Sequence, residues 1–320
     1  MIQSNIDTGI GNAEFKLLID QDHMEKVWSI MEPEVRKYAD GYLEGVSHFK
    51  DLPSAQDSYT AFLQEMIKKN DALHDKYHEL FALDLMEEEY AEDTEGFKSA
   101  ILKKECDVIR KTLQSKSESL KEWKSKFYGC KSQVLYDTLF NMMEFASEFD
   151  EEMDEDAMNE LDEIAECRLD EMEEDSCYKS GVLGFGIVSN ILNHMYPRTF
   201  PGNYKAGIYS LYFLSGGGKG IDMQSETSEF CMVKDESRSK TGIIEMEHNF
   251  FYPYQTFCIY TLRIYRVLAG AISSCFDRVF PSEYRFLLTN DFYDYVTSKN
   301  REKIATMTGN DDMLKFSTIW

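Results

Sequence analysis

The sequence predicts a mainly α protein, a helical two-lobed architecture with one small β-hairpin in the second lobe. Three observations carry that expectation. Apolar residues recur at three- and four-residue steps over most of the chain. Only two short apolar runs, 229–234 and 241–247, flank a polar turn in the manner of paired strands. Proline and glycine are few, 6 and 18 of 320 residues, so little interrupts long helices.

The elements follow in order. From Phe15 to Ala39 the apolar series Leu18, Met24, Val27, Trp28, Met31 and Val35 predicts a helix, which Pro33 should end or kink. A second helix is expected from about Ser58, capped by Asp57 or Ser58 and carrying Phe62, Met66, Leu73, Tyr77, Leu80 and Leu83. A third is expected from Glu95 to Phe127. Its seam is Leu102, Cys106, Ile109, Leu113, Leu120, Trp123 and Phe127, broken by Lys116. In the acidic stretch, Met158, Leu161, Ala165, Leu169 and Met172 predict an amphipathic helix over 154–174.

Beyond it, Ser180–Met195 reads as a buried helix with small residues. Two prolines turn the chain over 196–203, and Lys205–Leu214 forms the next helix, stopping at the glycines of 215–220. After the hairpin come helices over 254–274 and 284–299, separated by Pro281. The tail from Arg301 is polar and is expected to be loose, with Phe316, Ile319 and Trp320 free to tuck back or meet a partner.

Charge divides the chain into three. Residues 1–142 carry 18 basic and 27 acidic side chains, residues 143–175 carry 1 and 17, and residues 176–320 carry 15 and 14. The expected domains are therefore a helical N-terminal lobe (1–142), an acidic connector (143–175) and an aromatic-rich C-terminal lobe (176–320). A formal net charge of −24 argues against a whole surface that grips nucleic acid or anionic lipid, since phosphates need cations. The polar start, Met1–Gly11, lacks the pattern of a secretory signal, and no apolar run of about 18 residues is present. Seven widely spaced cysteines without a C-x-x-C pair read as free thiols. A cytoplasmic protein with no membrane is expected.

No motif identifies a reaction. Ser215–Gly220 lacks the serine or threonine that must follow the lysine of a phosphate-binding loop, because Lys219 precedes Gly220. The glycines of 181–186 do not follow a strand, so they make no dinucleotide fingerprint. Asp71, His74, Asp75 and His78 share a helix, and Glu245 and His248 lie far off, which falls short of a di-iron pattern. A nuclease core would need an acid-x-Lys on a strand. Glu122 and Lys124 lie on a helix, and Asp235, Glu236 and Arg238 lie in the hairpin turn. His194 reads as a core histidine. No catalytic residue, metal site or cofactor is expected.

The charge layout leaves two binding readings. The acidic ridge, represented by Glu151, Glu152, Asp154, Glu155, Asp156, Glu160, Asp162 and Glu163, offers a surface to a basic protein partner. Alternatively Arg198, Lys205, Arg263 and Arg266, interleaved with tyrosines, offer the C-terminal lobe to nucleic acid. The same arginines can instead pair with the acidic stretch and be screened by it.

Residues 184–211 add one likeness. Pro197, Phe200, Pro201 and Asn203 follow a small-residue helix and precede another. This pattern is similar to a helical segment of uncharacterised prokaryotic and phage defence- and restriction-associated proteins. The resemblance implies a setting in antiviral defence or mobile elements and supplies no catalytic residues. The expected function is a non-enzymatic subunit, adaptor or inhibitor of such a system, binding a basic partner and competing with nucleic acid by mimicry. The alternatives are a nucleic-acid-binding module and a metal-dependent enzyme or nuclease.

Overall fold

The computed structural model describes residues 15–116, 120–169, 172, 176–202, 204–217, 229–233 and 245–309. Within these the chain is mainly helical, with one two-stranded antiparallel hairpin. The α-helices of six or more residues are labelled here in chain order.

Helix α1, Gln21–Ser47, begins at Asp20, whose carboxylate accepts the His23 amide at 2.8 Å. It buries Met24, Val27, Met31, Val35, Ala39, Leu43 and Val46 along one side. Pro33 lies inside α1 and does not end it, which excludes termination, one of the two outcomes expected there. Pro33 and Ser29 both face solvent, so water can take the carbonyl that the missing N–H leaves open, while the buried stripe runs on uninterrupted. Helix α2, Ala55–Phe81, starts a few residues earlier than expected. Ser54 caps it, accepting the Asp57 amide at 3.1 Å, and the Ser54 hydroxyl donates to the Asp57 carboxylate at 2.7 Å.

The single helix expected over 95–127 is broken. Thr94–Gly96 leads into a π-helical segment, Phe97–Glu105, closed by the Cys106 amide on the Ile101 carbonyl. Phe97 and Leu102 are both buried and five residues apart, a spacing that a π turn aligns and an α turn does not. Cys106 is extended, and α3 (Asp107–Gln114) and α4 (Lys121–Gly129) follow as separate pieces. Helix α5, Ser132–Glu152, is one that the sequence reading did not place. It buries Leu135, Leu139, Met142, Ala146 and Phe149. The short α6, Glu155–Glu160, follows it.

In the second half α7 spans Phe185–Met195. Residues 180–183, expected to be helical, instead form a turn bridged between Lys179 and Leu183. Helix α8 spans Tyr204–Leu214 and stops at Gly216 and Gly217, which take positive φ (72° and 70°), a conformation open to glycine. Strands β1 (Cys231–Val233) and β2 (Met246–His248) pair antiparallel, Met232 opposite Glu247. The hairpin turn with Asp235, Glu236 and Arg238 lies outside the described residues, as do Lys219, Gly220 and the tail from 310 with Phe316, Ile319 and Trp320. Helices α9 (Tyr254–Phe276) and α10 (Arg285–Lys299) close the core. The stretch from Arg301 is not loose. It forms α11, Arg301–Thr308, and buries Ile304.

Helices from both sides of the acidic stretch share one apolar cluster, running from Leu18 to Ile304. Helix α9 packs on α1 and α10, α8 on α10, and α7 on α2. Thr256 donates to the Leu18 carbonyl at 2.8 Å, tying α9 to the chain just before α1. No described helix is long and apolar enough to cross a membrane. All seven cysteines are free.

The approach of α8 to α9 and α10 depends on Gly207. A Cβ there would lie 2.5 Å from the Phe257 ring and 3.3 Å from Tyr293. Gly207→Ala should therefore destabilise by about 1–3 kcal/mol despite alanine's better helix propensity. A urea titration reads this as a lower midpoint. An unchanged or raised midpoint would contradict the close packing.

Candidate functional site

The site is the acidic segment from Asp150 to Glu163 and the arginines beneath it. Of the helix expected over 154–174, only Glu155–Glu160 is α-helical among the described residues. After α6, Leu161 leaves helical geometry (φ −58°, ψ 113°), Ile164–Glu166 makes one 3-10 turn, and Arg168 takes a positive φ of 52°. The buried side chains are Met158, Leu161, Ile164, Cys167, Leu169 and Met172, while Ala165 is exposed. Their steps of three, three, three, two and three residues do not follow a 3.6-residue turn. Carboxylates crowded along an α-helix would also repel one another. An irregular backbone instead lets particular carboxylates reach particular cations.

Three fastenings hold the segment to the C-terminal half. Asp150, near the end of α5, accepts from Arg198, with the guanidinium 2.5 Å from its carbonyl and 3.1 Å from its carboxylate. It also accepts from Thr199. Glu155 accepts from the Ser282 hydroxyl at 2.6 Å. Asp162 takes a forked pair from Arg263, Nε at 2.9 Å and Nη2 at 2.9 Å, and a third bond from Arg266 at 2.7 Å. Arg266 also reaches the Leu161 carbonyl.

The first helix closes the arrangement. Glu25 accepts from Arg263 at 2.8 and 2.5 Å, and the guanidinium lies 5.7 Å from the Trp28 ring centroid. Gln21 accepts the Ile164 amide at 3.0 Å. A shallow depression of about 300 Å³ is lined by Glu25, Trp28, Asp162, Arg263, Arg266 and Val267. The Arg263 side chain is only 6% exposed, so its charge stands in a poorly solvated place with two carboxylates around it. Nearby Arg285 is fully buried, 5.7 Å from the Tyr265 ring, with Nε donating to the Ser282 carbonyl. Burial lowers its pKa, while Tyr265 and Glu155 oppose that shift.

These fields act on the acids. Burial alone would raise Asp162, but hydrogen bonds from and the charge of Arg263, joined by Arg266, outweigh it and hold the carboxyl below its usual range. Glu25 is lowered chiefly by its hydrogen bonds from Arg263. Arg263 would be lowered by burial, yet Glu25 and Asp162 raise it overall.

The eight acidic residues singled out in the sequence thus have different tasks. Asp162 and Glu155 are fastened inward. Asp154 caps α6 by accepting the Ala157 amide at 2.9 Å, and Glu152 pairs with Arg168 at 2.9 Å. Glu151, Asp156, Glu160 and Glu163 are exposed, with no side-chain partner among the described residues. Of the basic set, Arg198, Arg263 and Arg266 hold carboxylates, and Lys205 is half-buried on α8. Sequence reasoning missed Gln21, Glu25, Trp28, Thr199 and Ser282. No motif marks them, because each belongs to the site only through tertiary packing.

Among the described residues the metal and nuclease candidates do not assemble. Glu122 pairs with Lys126 at 2.7 Å within α4, and Lys124 donates to the Ser115 carbonyl. The His74 Nδ1 donates to the His194 carbonyl at 2.9 Å, with the His78 ring 6.0 Å from its own. Among the described residues no group of three or more His, Cys, Asp or Glu side chains could hold a metal ion.

Asp162 has a folded pKa below its unfolded one, so its stabilisation is present above the ordinary carboxylate range and is lost as pH falls through the folded value. Asp162→Asn should cost about 1 kcal/mol at neutral pH, modest because Asp162 is half exposed and Glu25 still pairs with Arg263. The difference from wild type should vanish in acid below the folded pKa. Equal urea midpoints at neutral pH would contradict the clasp. In comparisons with known proteins, no family model, curated protein or solved structure matches this chain.

Proposed function

We propose that this chain is a non-enzymatic interaction protein that presents an ordered acidic ledge to a basic partner protein. The observation that carries this reading is the division of labour along 150–163. Asp150, Glu155 and Asp162 fasten the segment, and Glu151, Asp156, Glu160 and Glu163 face solvent from a backbone that those fastenings hold. Preset carboxylates lose less freedom on binding than carboxylates on a loose tail, and their field speeds encounter with a cationic surface. The likeness of 184–211 to defence-associated segments suggests the setting, a prokaryotic or phage defence-related system in which the ledge competes with nucleic acid.

The nucleic-acid alternative draws less support. Three of its four cations are already committed to Asp150, Glu25 and Asp162, and a phosphate would have to displace a carboxylate to reach them.

Replacing Glu151, Asp156, Glu160 and Glu163 together by lysine tests the proposal. An arginine-rich peptide should bind the wild-type chain with an affinity that falls as salt rises, and the fourfold variant should bind at least about tenfold more weakly. Fluorescence anisotropy of the labelled peptide over a salt series reads both. Equal affinity of the two proteins would contradict the ledge.

A further inference from the structure

The acidic total of the chain hides a basic surface. Residues 97–131 carry ten basic and four acidic side chains, a surplus of six, in a chain of 34 basic and 58 acidic residues. The described part of this stretch comprises the π-helical segment Phe97–Glu105, α3 and α4. It contains none of the arginines that hold the acidic segment.

A π turn aligns residues five apart, and Lys98 and Lys103 are five apart. An α turn would align Lys98 with the buried Leu102 instead. Both lysines reach the end of α4. The Lys98 Nζ donates to the Tyr128 carbonyl at 3.0 Å and to the Cys130 carbonyl at 2.5 Å. The Lys103 Nζ stands over the Tyr128 ring, 5.3 Å from its centroid. Tyr128 is 55% exposed, so an aromatic ring is held at the surface between two cations. Lys104 adjoins Lys103 and Lys131 adjoins Cys130, and both are exposed.

These four lysines lack counter-charges. Among the described residues none of them pairs with a carboxylate, although the chain has acids in excess. The neighbouring cations do pair: Lys76, Arg110 and Lys111 share Asp107, and Lys126 holds Glu122. Of the acids at the edges, Glu95 accepts from the Ser132 hydroxyl at 2.6 Å, and Glu105 is exposed at the end of the π segment. Clustered cations repel one another, and a bound anion relieves that repulsion. At physiological ionic strength charges more than about 8 Å away are largely screened. The patch therefore acts through its own charge rather than through the net charge of the chain.

We infer that the surface formed by Lys98, Lys103, Lys104, Tyr128 and Lys131 binds single-stranded nucleic acid. The lysines take successive phosphates, and Tyr128 stacks on an unpaired base. The ring decides between anions. An acidic polypeptide would use the four charges but has no flat base to lay on an exposed tyrosine. A lysine over an exposed ring is held more weakly than a stacked base, so Lys103 yields the ring face and takes a phosphate. The inference does not rest on the acidic ledge.

Fluorescence anisotropy of the full chain tests it with two labelled strands of equal charge, an oligothymidylate of about 12 nucleotides and the same backbone made of abasic sites. Oligothymidylate should bind, with a log–log salt slope of about −3 for four phosphates. It should bind at least about fivefold more tightly than the abasic strand. Tyr128→Ala, at an exposed position, should abolish that preference and leave the salt slope unchanged. Lys104→Gln with Lys131→Gln should instead cut the slope to about half and keep the preference. Unlabelled polyglutamate should fail to compete. No binding at low salt, equal affinity for the two strands, or a preference that survives Tyr128→Ala would overturn the inference. So would polyglutamate competing as well as oligothymidylate, which would assign the patch to an acidic protein. Tyr128→Ala should leave the affinity for the arginine-rich peptide unchanged, so this surface and the acidic ledge stand or fall separately.

Discussion

Arg263 is the constraint around which the rest is arranged. Its guanidinium is nearly buried on α9, and a buried cation without partners would be strongly unfavourable. Glu25 from α1 and Asp162 from the acidic segment supply the partners, and Trp28 supplies a ring beside them. One side chain therefore joins the first helix, the middle of the chain and the second half. Arg266, beside it on α9, strengthens the hold on Asp162, and Gln21 secures the Ile164 amide.

This requirement explains why a crowded acidic stretch is ordered at all. Repulsion among its carboxylates favours an extended, mobile chain. Against that stand the ion pairs to Arg198, Arg263 and Arg266 and the burial of Met158, Leu161, Ile164 and Leu169. Both kinds of interaction are needed. The ion pairs are partly solvated and individually modest, while the apolar contacts do not by themselves select one backbone path. The surplus carboxylates, which satisfy no internal cation, are the ones left facing water.

Much of the fold was legible in the sequence. The mainly α class, the hairpin and the long helices α2, α9 and α10 follow from periodicity and turn residues. Pro33 does not end α1 because the carbonyl it leaves without a donor faces water. The break at Cys106 was hidden because a π segment keeps residues such as Phe97 and Leu102 on one face while the α-period drifts. The stripe Met158, Leu161, Leu169 and Met172 identified inward-facing residues but gave the wrong backbone, since steps of three fit an irregular chain as well as a helix. The pairing of arginines with the acidic stretch was one of the arrangements that charge suggested. The contribution of Glu25 and Trp28 was not readable, because it arises only when α1 is laid against α9.

Hydrogen exchange across 155–169 at neutral pH tests the ordered clasp most directly. The Ile164 amide, bonded to Gln21, and the Met158 and Leu161 amides of the α6 turn should exchange far more slowly than in an unstructured peptide of the same sequence. Exchange of all three at the unstructured rate would show that the acidic segment is not held against α9, and the account would fail.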